Sequence, residues 1–200
     1  MKNIGIPIAL ACAVAATLAA PSAQAQAPEQ TDTASTSPSF AGQATLGGLL
    51  GLGVGFSGGG TYLGLGGRGG YTLPMNLYVG GAATFNIHLG TGSAYFLMVA
   101  GECGYDIGVG PVIIRPYGGL GFGVAIVSVP EYIDPYTGMS TGGTQTDGRF
   151  LIKFGGELLV PIGTSLFVGG DMNIAILPGS GSETFWNLLG TFGARFGGPS

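Results

Sequence analysis

An all-β fold, an eight-stranded antiparallel barrel that crosses a membrane, is what this chain predicts. Three observations point to it. Apolar and non-apolar residues alternate at period two in eight successive segments, the pattern of strands whose successive side chains leave opposite faces. Within those segments almost every ionisable residue falls on the face opposite the apolar one. Only 8% of the residues are charged, against about 25% in soluble domains, so an outward apolar face suits lipid and would leave a soluble barrel badly solvated.

The first segment, 45–56, sets Leu46, Leu50, Leu52 and Val54 against Gly47, Gly51, Gly53 and Gly55. In 61–73, Leu63, Leu65 and Tyr71 oppose Tyr62, Arg68 and Thr72; in 76–89, Val79, Phe85 and Ile87 oppose Tyr78, Thr84, Asn86 and His88. The fourth segment, 93–108, places Tyr95, Leu97 and Val99 opposite Met98, Glu102 and Asp106. The fifth, 112–127, alternates most strictly, with Leu120, Phe122, Val124 and Ile126 on one side and Arg115, Tyr117 and three glycines on the other. Segment 147–160 opposes Phe150, Ile152, Phe154 and Leu158 to Arg149, Lys153 and Glu157. In 164–177, Leu166, Val168, Met172 and Ile174 face away from Asp171 and Asn173. The last, 183–196, puts Trp186, Leu188, Phe192 and Phe196 opposite Glu183, Asn187, Thr191 and Arg195.

Only helices and closed barrels hide their backbone polar groups from lipid. No stretch after residue 44 carries a helical apolar period, so the closed barrel follows. Segments of about 12 to 16 residues cross a ~25 Å apolar band at a steep tilt. Tight turns of Pro and Gly type are expected at 73–76, 108–111 and 161–164. The other connections are 57–60, 90–92, 178–182 and the long loop 129–146. An even strand count puts both termini with the tight turns, on the periplasmic side, and 129–146 outside the cell. Tyr95, Phe150 and Trp186 near the outer strand ends, with Tyr71, Tyr105, Phe192 and Phe196 near the inner ends, form two aromatic belts at interface depth.

Residues 1–25 read as a secretory signal peptide: Lys2, an apolar run over 4–20, and small-x-small cleavage sites ending at Ala25 or Ala27. Export and a closed barrel together place the protein in the cell envelope of a Gram-negative bacterium, integral and multi-pass in the outer membrane. Residues 26–44, rich in Ser, Thr, Pro and Gln and without period, are expected to be a flexible N-terminal segment of little consequence for folding. The barrel occupies 45–196 and a short tail 197–200. Once the leader with Cys12 is removed, Cys103 has no partner for an internal disulfide, and it lies in the apolar register as a small hydrophobe. The formal net charge of −4 and the absence of a basic run exclude nucleic acid.

The chain resembles the small bacterial outer-membrane β-barrel proteins of the OmpA/OmpX type over 45–196. The likeness rests on Arg115, Pro116 and Tyr117 with the glycines after them, on the run from Gly155 to Pro161, and on the closing Phe192-Gly-Ala-Arg-Phe196. It implies an outer-membrane, OmpA-like and porin-like barrel domain, here without the family's peptidoglycan-binding domain. It also implies that the last strand, ending at an aromatic residue, is read by the barrel insertion machinery. The motifs specify architecture and say little about activity.

Interior charges are expected to pair, because unpaired charges in a confined lumen are costly. The expected network comprises Arg68, Glu102, Asp106, Arg115, Arg149, Lys153, Glu157, Asp171 and Arg195. Antiparallel register should bring Arg115 near Asp106 and Glu102, and Lys153 opposite Asp171 or Asn173. Two G-x-G-x-x-G matches, beginning at Gly53 and Gly64, lack the following helix a dinucleotide site needs. In a chain with 42 glycines they are chance, and no cofactor is expected. One histidine and one lipid-facing cysteine make no metal site.

The expected function is therefore a structural or surface-interaction barrel, with no enzyme activity. It would present Glu131, Tyr132, Asp134, Tyr136 and Met139 of the outer loop to an extracellular partner while outer-membrane lipid surrounds it. The second reading is a narrow channel for small solutes. The third is a lipid-modifying barrel enzyme built on His88 with Ser93 nearby.

Overall fold

Residues 38–56, 60–90, 93–133, 136, 140–179 and 182–197 are described in the structure, a computed structural model of the chain. The expected signal peptide, 1–25, and most of the segment 26–44 lie outside them.

Among the described residues nine strands form one antiparallel sheet: β1 (Gln43–Gly55), β2 (Gly60–Thr72), β3 (Leu77–His88), β4 (Ser93–Tyr105), β5 (Ile107–Val109), β6 (Val112–Ile133), β7 (Ser140–Ile162), β8 (Leu166–Leu177) and β9 (Glu183–Phe196). Strand β5 continues β4 beyond Asp106, so the barrel has eight staves. Each stave pairs with its sequence neighbours, β1 also pairs with β9, and β4 pairs with β6. The sheet is thus closed and has no free edge within the barrel, as lipid requires. The start of β1, the end of β9 and the tight turns share one mouth: Ala44 lies opposite Phe196, and Gln43 opposite Thr72.

The alternation is explained by what each face meets. Leu50, Phe122, Phe154 and Leu188 are exposed on the outside, whereas Arg68, Arg115, Glu157 and Asp171 are buried inside. Outward Phe85 stacks on Tyr95 at 5.8 Å, and Phe122 meets Phe150 edge-on at 6.2 Å.

The lumen is layered. Near the tight turns Ile113, Leu159 and Phe167 form an apolar floor. Charged residues fill the middle. Above them Tyr62, Phe96, Met98, Leu151, Leu177 and Phe185 form an apolar roof. Its rings lock in edge-to-face contacts, Phe96 with Phe185 at 4.8 Å and Tyr62 with each at 5.4 Å. Climbing β7 crosses the layers in order, through Leu159, Glu157, Lys153 and Leu151.

Three expectations are corrected. The connection 129–146 is not a loop but a raised hairpin, with β6 running to Ile133 and β7 starting at Ser140. The ladder continues through Val127↔Gln145 and, past a bulge after Val129, through Tyr132↔Thr141. Its Val, Ile and Thr residues favour strand, but the successive residues 142–148 are all exposed, so no alternation betrays it. The turn placed at 161–164 is displaced to 163–165, because β7 pairs as far as Ile162↔Leu166 and Gly163 supplies the left-handed reversal at φ 60°. Pro161 lies beyond the last β7 residue paired to β6, where a missing N–H costs least. Finally, the end of the segment 26–44 is ordered into the barrel: β1 starts at Gln43, and Phe40 is completely buried in the floor.

Candidate functional site

Two features stand out as functional candidates, the charged layer of the lumen and the raised hairpin.

The charged layer begins with Arg115, buried on β6 near the tight turns. Its Nε and Nη2 clasp Asp106 at 2.5 and 2.9 Å, a two-pronged match of guanidinium and carboxylate. Thr72 donates its hydroxyl to Asp106 at 3.1 Å. Arg115 Nη1 reaches Glu157, its ladder partner on β7, at 3.3 Å. The guanidinium carbon lies 3.9 Å from the ring centre of Tyr78. That ring can lie flat against the wall only because Gly70 is bare. A Cβ there would stand 2.5 Å from Tyr78 Cε2.

Arg68 on β2 joins what Arg115 leaves open. It contacts Glu102 at 2.8 Å, Glu157 at 2.9 Å and Asp171 at 2.7 Å, with its guanidinium 4.5 Å from the Tyr117 ring centre. Lys153 donates to Glu102 at 2.8 Å. Tyr117 donates to Asp171 at 2.7 Å, Asn173 donates to the other Asp171 oxygen, and Asn187 donates to Asn173 at 2.9 Å. The result is one continuous path, Asp106–Arg115–Glu157–Arg68–Glu102–Lys153, spanning β2, β4, β6 and β7 and tied to β8 through Asp171. Charges withdrawn from water are tolerated only with such multiple partners.

Seven of the nine expected residues meet in this layer: Arg68, Glu102, Asp106, Arg115, Lys153, Glu157 and Asp171. Two do not. Arg149 pairs with Asp147 at 2.6 Å, one step outward along β7 from the roof residue Leu151. Arg195 donates to the Gly163 carbonyl beneath the floor and lies 5.4 Å from the Phe40 ring centre. Both have inward parity, but Arg149 lies beyond the roof on β7 and Arg195 at the end of β9, so neither reaches the middle layer. Two pairings also differ. Glu102 turns to Arg68 and Lys153 while Arg115 takes Glu157. Lys153 stands opposite Ala175 in the ladder, because the displaced turn sets Glu157 against Asp171 instead.

A cavity of about 10 Å³ lies between the charged layer and the roof, against Asn86, Lys153, Asn173 and Asn187. That is about the space of one water, not of a solute path. The residues that sequence reasoning missed are the apolar lumen fillers. Leu151, Leu159 and Phe185 each sit in an apolar run, where period two is lost.

Of the hairpin residues expected to meet a partner, Tyr136 is 97% exposed at the tip. Glu131 and Tyr132 fall on the raised part of β6, and Asp134 and Met139 lie outside the described residues. His88 packs against Tyr62, ring centres 5.2 Å apart, and Cys103 stands in the ladder opposite Gly118 on the outward side. Among the described residues no group of three His, Cys, Asp or Glu side chains is placed to hold a metal ion.

No family model and no curated protein sequence matches the chain. Solved structures do. The N-terminal β-barrel domain of Pseudomonas aeruginosa OprF superposes with a TM-score of 0.51 at 13% identity, over 78% of this chain and 98% of that one. Neisserial surface protein A gives 0.59 at 11% identity, over 77% and 96%. The attachment invasion locus protein of Yersinia pestis, Ail, gives 0.50 at 16% identity, over 78% and 99%. The chain therefore has the closed eight-stranded fold of the small outer-membrane β-barrels.

Proposed function

We propose that this is an integral, multi-pass barrel of the outer membrane, exported by its signal peptide, with a structural or surface-interaction role. It presents the 129–146 hairpin outside the cell. The observation that carries the reading is a difference in strand length. Strands β6 and β7 have 22 and 23 residues, whereas β1, β2, β3, β4, β8 and β9 have 12 to 14. The excess is too polar to lie in lipid and rises above the outward aromatic belt. A lumen bridged by ion pairs and capped by apolar layers is a rigid pedestal for it, and it weighs against the narrow solute channel. The packing of His88 on Tyr62 speaks for a structural role of that histidine rather than for lipid-modifying chemistry.

The test uses an epitope inserted after Tyr136 and a second chain lacking 131–146. Antibody should label intact cells without permeabilisation, and the deletion should lower retention of cells on serum-coated plates while leaving the barrel heat-modifiable on gels. Labelling only after permeabilisation refutes the orientation. Unchanged retention refutes the interaction role.

A further inference from the structure

The tight-turn mouth is closed by a residue that belongs to no strand. Phe40 is fully buried, packed with Ile113, Leu159 and Phe167, its ring centre 5.6 Å from that of Phe167. Two guanidinium groups lie against the same ring, Arg115 at 5.8 Å on the lumen side and Arg195 at 5.4 Å on the mouth side. Cations over an aromatic face are attracted to its quadrupole. The ring thus sits between the charged layer and the mouth.

The backbone around Phe40 is shaped for this placement. Gln43 donates its N–H to the Phe40 carbonyl at 2.9 Å, and Gly42 donates to Thr72 at 2.8 Å. Gly42 has φ 74°, a reversal that side-chain-bearing residues resist. Ser39 donates to the side chain of Asn76 in the β2–β3 turn at 2.8 Å and accepts from Ala41 N–H at 3.1 Å. Residues 39–42 are thereby pinned across the mouth at both ends.

We propose that the tight-turn mouth is a binding site for an aromatic side chain, and that Phe40 is its tethered occupant, a stopper that keeps water off the ion-pair layer. The two ends of the lumen differ in kind. The roof is built from strand residues that cannot leave without unzipping the barrel. The floor depends on a ring carried by a segment outside the ladder, held by a few turn hydrogen bonds. The stopper can therefore withdraw while all eight staves stay paired.

The test introduces Ile113→Cys into the secreted chain carrying Cys103→Ala, reconstituted in lipid nanodiscs and checked as folded by its heat-dependent gel mobility. Labelling of Cys at position 113 by a charged methanethiosulfonate should be slow with Phe40 in place. It should be at least about tenfold faster in Phe40→Ala, a factor equivalent to ~1.4 kcal/mol of seal. Equal rates overturn the proposal. A second measurement does not depend on the alanine variant folding. Phe40→Trp in a Trp186→Phe background should emit at short wavelength and resist acrylamide quenching. Emission and quenching like those of tryptophan in water overturn the proposal equally.

Discussion

Arg68 on β2 and Asp171 on β8 meet across the lumen at 2.7 Å, both buried. Strands three staves apart are joined through the lumen, not only around its wall. The same guanidinium holds Glu102 and Glu157, so Arg68 is the hub on which three carboxylates depend.

Replacing that hub should be severe. Arg68→Met removes the cation and leaves Glu102, Glu157 and Asp171 short of charge compensation in a dry lumen. Breaking a buried ion pair from one side costs about 3–5 kcal/mol. Urea unfolding of the micelle-bound barrel, followed by Trp186 fluorescence, should show a loss of at least that order. A loss under about 1 kcal/mol, typical of exposed pairs, would mean that water fills the lumen.

Gly70 and Tyr78 should behave as one unit. Gly70→Ala pushes a methyl into the Tyr78 ring, and overpacking of this sort costs about 1–3 kcal/mol. In a Tyr78→Ala background the clash is gone, so most of that cost should vanish. A double-mutant cycle reads the difference, and additive effects would show that the ring does not lie over Gly70.

The outward face should respond to depth in lipid. Leu50 lies mid-strand on β1 and Val54 near its outer end, both exposed. Leu50→Arg should cost ~2–4 kcal/mol in lipid vesicles and Val54→Arg about 0–1 kcal/mol. If both fall within about 0.5 kcal/mol of wild type, as for water-exposed sites, the face does not meet lipid.

These residues also mark what can be read from a single sequence. The strands of the membrane band are legible because each separates lipid from a polar lumen, so Leu120, Phe122 and Val124 alternate with Gly119, Gly121 and Gly123. Inward parity correctly points Arg68, Arg115 and Glu157 into the lumen, but parity says nothing of height, and Arg149 and Arg195 end above and below the network. Register depends on where a turn falls. Displacing one turn to 163–165 was enough to give Glu157, and not Lys153, Asp171 as its ladder partner. The raised hairpin is silent because exposure on both faces, seen along 142–148, leaves no contrast to alternate. Phe40 is silent because one aromatic residue among Ser, Pro and Gly has no period at all.

The filled lumen is tested most directly by planar-bilayer conductance of the purified chain, loaded only after its heat-modifiable band shows a folded barrel. A lumen crossed by Arg68–Asp171 and capped by Phe96, Phe185 and Phe40 predicts current indistinguishable from the bare bilayer at either polarity. Reproducible ohmic steps from the folded protein would contradict it and return the solute channel to first place.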